Sequence, residues 1–208
     1  MKSPDLRYKL VLLGSLYLSQ GLPFGFMTQT VPVLLRAEGA SLTTIGDTSI
    51  LMAPWLLKVL WAPLVDGWGS ERFGRRRSWI VPLQGLTVLL LAGLALAPPT
   101  DVVSVLLAAT FVTALLASTQ DIATDGLAVS LLSERERGLG NGVQVAAYRQ
   151  GMVIGGGALL VVFARSGWSA SFATMAGLMA LATVPILLHR EAPAPRATPG
   201  ESVRGLLA

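Results

Sequence analysis

Six apolar stretches of about twenty residues or more, joined by short loops rich in arginine, dominate this chain. A helix needs roughly 20 mostly apolar residues to cross the hydrocarbon core of a bilayer. The stretches are Leu10–Leu35, Ile45–Val65, Trp79–Ala97, Val102–Leu132, Leu139–Ala164 and Trp168–Leu188. Together they use most of the 208 residues and leave no room for a soluble domain. Only 13% of residues are charged, against about 25% in an ordinary soluble domain. The expected fold is therefore an all-α membrane protein with six transmembrane helices over residues 1–190, followed by a linker or tail over 191–208. After Leu188 the chain runs His189-Arg190-Glu191 and then Ala192-Pro193-Ala194-Pro195, a composition that ends rather than extends a helix.

Orientation follows from the placement of Lys and Arg, which concentrate in cytoplasmic loops. Twelve lie on one side of the predicted topology, at positions 2, 7, 9, 72, 75–77, 135, 137, 190, 196 and 204. Arg36 and Arg165 lie on the other, and Lys58 and Arg149 lie within spans. Both termini are therefore expected in the cytoplasm, which an even number of spans also requires. The same distribution argues against nucleic acid as a partner, because the net charge of +4 is spread over loops rather than gathered on one face. The basic start followed by an apolar run has the form of a signal peptide, but the run continues to Leu35 with no A-x-A-like site, so it reads as a first span. There is no cysteine, which excludes disulfides and thiolate chemistry. No metal-ligand cluster is visible, and no cofactor is indicated.

Four charges fall inside spans, where each costs about 2.5–3.5 kcal/mol at a helix centre. By helical rise, Lys58 lies about 12 Å from the basic side, Asp125 about 10 Å, and Asp121 and Arg149 about 16 Å. Two acids and two bases thus share one layer, and Asp121 and Asp125, at i and i+4, share one face of span 4. Either they form a neutralised network that fixes helix packing, or they form a proton-titratable or solute-contacting cluster. At least one carboxylate is expected within reach of Lys58 or Arg149. Gln20, Gln29, Gln84, Gln120, Gln144 and Gln150, with Tyr17, Thr124 and Tyr148, surround the layer and suit a polar cavity for a hydroxylated or amide-rich solute. Gln20, Gln29, Gln120, Gln144 and Tyr148 are the solute-binding candidates. Spans 1 and 4 are expected to line the cavity, with spans 3 and 6 peripheral.

Gly138, Gly142 and Gly156 recur with Arg149 near heptad spacing in span 5, a pattern that lets a second helix approach closely. Gly142, Gly151 and Gly155 also partly resemble the span-5 motif of facilitator antiporters, without its proline. Pro23, Pro32, Pro54 and Pro63 are expected to kink spans 1 and 2.

Several motifs then combine. Asp66 followed by Gly74-Arg75-Arg76-Arg77 resembles the major-facilitator signature between spans 2 and 3, with Ala62 where its first glycine stands. Gln20-Gly21-Leu22-Pro23, Lys58-x-x-Trp61-Ala62-Pro63-Leu64-x-Asp66, Ser118-x-Gln120-Asp121-Ile122-x-x-Asp125, Glu136-Arg137-Gly138 and Tyr148-Arg149-x-Gly151 follow in order. The set is similar to the AmpG-type muropeptide permeases and the related acetyl-CoA transporter group, over about residues 10–190. The resemblance implies one six-span half of a major-facilitator fold, built as a 3+3 inverted repeat. It implies proton-driven import of anhydromuropeptides across the bacterial inner membrane. It implies Asp121, Asp125, Lys58 and Arg149 as the coupling layer, and Asp66, Arg75, Arg76 and Arg77 as a cytoplasmic gate. The expected partners are the lipid bilayer, a small-molecule solute, protons and a second six-span half.

An antiporter or effluxer of another anionic or amphiphilic solute would share these features, and a non-transporting half-subunit or truncated product would share the spans. An intramembrane serine protease would need a G-x-S-G element and a histidine in the membrane; span 4 offers Ala117-Ser118-Thr119, and the only histidine, His189, ends span 6. The chain does not read as an enzyme.

Overall fold

The computed structural model describes residues 5–70, 72–96 and 101–191. The Pro98-Pro99 stop and the tail from Ala192 onward lie outside the described residues, as do the charges at Lys2, Arg196 and Arg204. The rest is helical, apart from turns and one isolated bridge between Ser70 and Gly74. Four helical stretches are long and apolar enough to cross a membrane: Leu6–Ala37, Arg77–Leu96, Val102–Leu131 and Arg137–Leu188.

The first stretch consists of α1 (Leu6–Gly25), a widened π-turn (Phe26–Thr30) and α2 (Val31–Ala37). Pro32 gives a local reason for the widening: it lacks the amide that would bond the Thr28 carbonyl, and its ring pushes that carbonyl away. Pro23, by contrast, sits inside α1, with helix on both sides.

The second expected span is not one helix. It is a chain of short pieces: α3 (Leu42–Asp47), a 3-10 turn (Thr48–Met52), α4 (Ala53–Leu57), a 3-10 turn (Lys58–Leu60) and α5 (Ala62–Gly67). Pro54 and Pro63 each lie in the first turn of a piece, where a missing amide costs nothing. Proline here starts helices rather than bending one. The pieces from Thr48 onward run along α7.

Helices α6 (Arg77–Leu96) and α7 (Val102–Leu131) match expectation closely. Then α8 (Arg137–Val153), a second π-turn (Ile154–Ala158) and α9 (Leu159–Leu188) follow without an intervening loop. The stretch is 52 residues long, yet it is not one rod. Gly167 takes φ +76° and ψ −167°, a conformation that L side chains avoid. The Ser171 hydroxyl donates to the Leu159 carbonyl at 3.3 Å, whereas twelve residues of straight helix would separate them by about 18 Å. The chain therefore reverses at Gly167, inside the short gap expected between spans 5 and 6.

The first stretch is the hub, with 67% of its most apolar window buried against 33–44% for the other three. Leu22, Phe26, Val31 and Leu35 pack with Leu91 of α6, Leu106 of α7 and Phe172, Met175 and Met179 of α9. Toward the basic loops, Leu12 and Leu16 meet Val65, Ile80, Ile122, Leu127 and Ile186. Leu13 and Tyr17 pack with Ala128, Leu132 and Ala147.

The α1–α8 contact is backbone on backbone. A β-carbon at Gly25 would lie 2.2 Å from the Met152 carbonyl oxygen, and one at Gly155 2.0 Å from that of Leu22. The contacting glycines of α8 and its π-turn are Gly151, Gly155 and Gly156, whereas Gly138 and Gly142 have no neighbour within 4 Å. The heptad set of glycines expected to make the contact is thus corrected: the close approach uses the Gly151/Gly155 pair.

Candidate functional site

Helix α7 carries Asp121 and Asp125 one turn apart, toward the space between α1, α4 and α8. Lys58 opens the 3-10 turn after α4, and its ammonium forms an ion pair with Asp121. Trp61, at the end of that turn, donates its indole N–H to Thr119 at 3.2 Å and ties the broken segment to α7 beside this pair. Asp125 is held differently: the Tyr17 hydroxyl of α1 donates to it at 2.7 Å. The two carboxylates are therefore distinct, one neutralised by a cation and the other receiving a neutral hydrogen bond.

Both face a cavity of about 590 Å³, a size ordinary for a small-molecule site. Its walls come from four elements. α1 supplies Tyr17, Gln20 and Phe24, α4 supplies Trp55, and α7 supplies the two aspartates. α8 supplies Gln144, Val145, Tyr148, Arg149 and Met152. Spans 1 and 4 line it as expected and spans 3 and 6 do not, and α8, which carries the candidates Gln144, Tyr148 and Arg149, contributes more lining residues than α1. Arg149 lies in the wall and makes no ion pair among the described residues.

Of the solute-binding candidates, Gln20, Gln144 and Tyr148 line the cavity. Gln29 and Gln120 do not. Gln29 is exposed and lies against Gly156, at the π-turns. Gln120 is 2% exposed and faces the interior, where its amide donates to Ser19 at 3.3 Å; Gln84 of α6 donates to the same hydroxyl at 2.8 Å. These two amides join helices, as polar groups in apolar surroundings do. Phe24 and Trp55 were missed: single aromatics in an apolar stretch carry no signal of which side they face.

At the basic end, Asp66 forms an ion pair with Arg76, and Arg75 donates to the Asp66 main-chain carbonyl. The Arg76 guanidinium lies so close to Gly126 of α7 that a β-carbon there would come within 2.4 Å of it. Arg77 donates to the Leu187 carbonyl at 2.6 Å. The four residues expected to form a gate thus lie together at the basic end, and a further carboxylate joins their contacts. Glu191, placed in the tail from sequence, accepts from the main-chain amides of Arg76 at 2.9 Å and Arg77 at 3.0 Å. Its carboxylate caps the start of α6, where partial positive charge collects. Gly74, at φ +95°, makes room for it.

Nearby, Lys9 pairs with Glu136 at 2.8 Å, and the amide and hydroxyl of Ser133 also donate to that carboxylate. The Lys9 hydrogen bond, with Ser133 behind it, holds Glu136 at about 2. His189 accepts or donates at 3.0 Å with the Tyr8 hydroxyl, and burial holds its imidazole below the ordinary range, with Glu191 opposing the shift.

Comparison with known proteins identifies the family. Residues 9–111 match the family described as acetyl-coenzyme A transporter 1. The anhydromuropeptide permease of Escherichia coli K12 is 32% identical over 183 residues, 88% of this chain and 37% of the permease. The chain belongs to this family of permeases. An uncharacterized protein of Haemophilus influenzae is 35% identical over 154 residues, 74% of this chain and 36% of its own length. A yeast protein, an uncharacterized membrane protein of Saccharomyces cerevisiae, is 48% identical over 75 residues, 35% of this chain and 13% of its own. Members are transporters rather than enzymes, and this one is a membrane protein by its apolar helices and its relatives. The chain spans a little over a third of the length of the E. coli and Haemophilus relatives.

Proposed function

We propose that this chain forms one half of a proton-coupled importer of the bacterial inner membrane, with a peptidoglycan-derived muropeptide as its solute. The observation that carries the reading is the pair of unlike carboxylates in one cavity, Asp121 neutralised by Lys58 and Asp125 hydrogen-bonded, among the described residues, only by Tyr17. An unpaired carboxylate in an apolar layer is the group that a proton neutralises most readily. In this reading Asp125 takes the proton from outside, Lys58 holds Asp121 ionised, and Arg149 receives a solute carboxylate. Release of the proton to the cytoplasm restores the charge on Asp125. The name of the E. coli relative supports the solute class.

The reading includes six crossings arranged as a 3+3 inverted repeat, with the broken 42–67 segment as the second and the arms either side of Gly167 as the fifth and sixth. Both termini lie in the cytoplasm, and a second six-span half completes the cavity, as in two-halved transporters. Asp66, Arg75, Arg76 and Arg77 form the cytoplasmic gate against it.

Uptake of a radiolabelled anhydromuropeptide, driven by an inward proton gradient in vesicles holding the full-length transporter, tests the chemistry. Asp125→Asn is expected to abolish gradient-driven uptake while leaving solute binding, and unchanged gradient-driven uptake would overturn the reading. Because the chain has no cysteine, single cysteines at Ser70 and Thr100 can test the topology directly. They should react with a membrane-impermeant reagent from opposite sides.

A further inference from the structure

The basic end of α6 carries a second pocket, away from the solute cavity. Phe73, Arg77, Ser78, Val81 and Pro82 enclose a space of about 270 Å³. The buried face of α6 is Ile80, Gln84, Thr87 and Leu91, a single stripe at helical spacing. Arg77, Ser78 and Val81 lie on the flank of that stripe, between it and the exposed positions Pro82, Leu86 and Leu89. The pocket therefore opens on the side of α6 that faces lipid.

It continues along the helix. Gly85, one turn beyond Val81, has no neighbour within 4 Å of where a β-carbon would stand. Its missing side chain extends an apolar channel toward Leu89, which is exposed. From Arg77 to Gly85 is about 12 Å of helical rise. A cation at the membrane surface with an apolar channel running down from it has the layout of a lipid headgroup above its acyl chain.

The polar end supplies the cation. The Arg77 guanidinium donates to the Leu187 carbonyl at 2.6 Å and makes no ion pair among the described residues. Arg76, by contrast, pairs with Asp66. Glu191 accepts from the main-chain amides of Arg76 and Arg77 rather than from the Arg77 guanidinium. Arg72, exposed in the turn before Phe73, also makes no ion pair among the described residues. A guanidinium with donors to spare suits a phosphate, which it meets with two parallel bonds. Close by in sequence, Trp68 is 69% exposed, and tryptophan gathers at the level of lipid headgroups.

We infer that the flank of α6 holds one anionic phospholipid, with its phosphate on Arg77 and an acyl chain against Phe73, Val81 and Gly85. A free phosphate would use the guanidinium and leave the channel unfilled. A zwitterionic lipid would bring a cation of its own beside Arg72. Basic pockets between transmembrane helices take anionic headgroups in this way. The site shares no residue with the solute cavity, so it stands independently of the transport reading.

Native mass spectrometry of the full-length transporter in non-ionic detergent tests the site. The probes are dioleoyl phosphatidylglycerol, dioleoyl phosphatidylcholine and glycerol 3-phosphate, each titrated separately. For the first lipid bound, phosphatidylglycerol should bind about fivefold more tightly than phosphatidylcholine, the effect of about 1 kcal/mol for one basic residue. Arg77→Gln should abolish that preference, and Arg77→Lys, which keeps the charge, should retain most of it. Gly85→Leu fills open space, so its melting temperature should hold while both lipids bind about threefold more weakly or worse. Equal affinity for the two lipids, or a preference that survives Arg77→Gln, overturns the phosphate assignment. Lipid binding untouched by Gly85→Leu overturns the channel, and this variant decides the matter even where Arg77→Gln does not fold. Glycerol 3-phosphate binding as tightly as phosphatidylglycerol would show a site for the headgroup alone and overturn the phospholipid.

Discussion

Gly21 of α1 lies against the main-chain carbonyl of Tyr148, so close that a β-carbon would sit 2.1 Å from the oxygen. The contact places Gln20 and Phe24 of α1 and Tyr148 and Arg149 of α8 around one cavity, because the two helices touch along backbone at their glycines. Gly151 returns the contact, with the Leu18 carbonyl oxygen 2.4 Å from its would-be β-carbon. Backbone cannot yield as a flexible side chain can, so overpacking should be felt in full. Gly21→Ala and Gly151→Ala are each expected to destabilise the chain by about 1–3 kcal/mol. Gly142→Ala, with open space around it, should be neutral or slightly stabilising through helix propensity. Melting temperatures in nanodiscs decide the matter, and equal behaviour of Gly142→Ala and Gly151→Ala would refute the packing.

The Lys58–Asp121 pair makes a sharper claim. The two side chains are 30% and 19% exposed, so solvent tempers the cost of breaking the pair. Lys58→Met and Asp121→Asn are each expected to cost about 1–3 kcal/mol, less than the roughly 3–5 kcal/mol of a fully enclosed pair. The double variant should be more stable than the sum of the two losses implies, since no charge is then stranded. A double-mutant cycle on thermal unfolding gives the coupling, and additivity would mean that the two groups do not depend on each other.

That a cation would meet one of the two aspartates was legible in the sequence, because an unpaired buried charge is costly and the four charges were expected in one layer. What could not be read was which cation meets which acid, or that Tyr17 would hold Asp125. Those facts depend on how helices rotate against one another, and a span apolar on most of its surface gives a weak periodic signal of rotation. The same limit explains Gln29 and Gln120, which carry the right chemistry on the wrong face. It also explains Glu191, whose role depends on α9 ending beside the start of α6. The break at Gly167 was legible as a gap between two apolar stretches. The fragmentation of residues 42–67 was not, because two prolines, Pro54 and Pro63, read equally as kinks or as helix starts.

Glu136 gives a prediction in pH. Its carboxyl group is lowered from an ordinary 4.5 to about 2 by Lys9 and by the Ser133 amide and hydroxyl. A carboxylate with a depressed folded-state pKa contributes stability that is fully present above its unfolded pKa. That contribution should therefore be intact at neutral pH, fade as pH falls below about 4.5, and be gone once pH has passed below about 2. Glu136→Gln should lower the melting temperature at neutral pH, and the difference from the unsubstituted chain should close across that window. A difference constant from pH 6 to pH 2 would show that the carboxylate charge is not the source.

The two π-turns are joined by one side chain. The hydroxyl of Thr30, fully buried, is shared between the main-chain carbonyls of Gly155 at 3.0 Å and Gly156 at 2.8 Å. Each turn is widened for its own local reason, Pro32 in the first and the run Gly155-Gly156-Gly157 in the second. A widened turn tilts carbonyls away from their usual acceptor geometry, and in apolar surroundings no water can replace a lost donor. Thr30 supplies that donor to both carbonyls and so locks the two irregular turns at one level. Thr30→Val keeps the shape and removes the hydroxyl, and it is expected to cost about 1–3 kcal/mol, the penalty for stranding buried polar groups. Thr30→Ser keeps the hydroxyl and should recover most of the loss. Hydrogen exchange adds a local readout: in the Thr30→Val variant the amides of Val31 and Leu159, each bounding a π-turn, should exchange faster, while those of α6 should not change. If Thr30→Val melts with the unsubstituted chain and leaves both amides protected, the cross-helix bond does not hold the turns, and the glycines and Pro32 alone suffice.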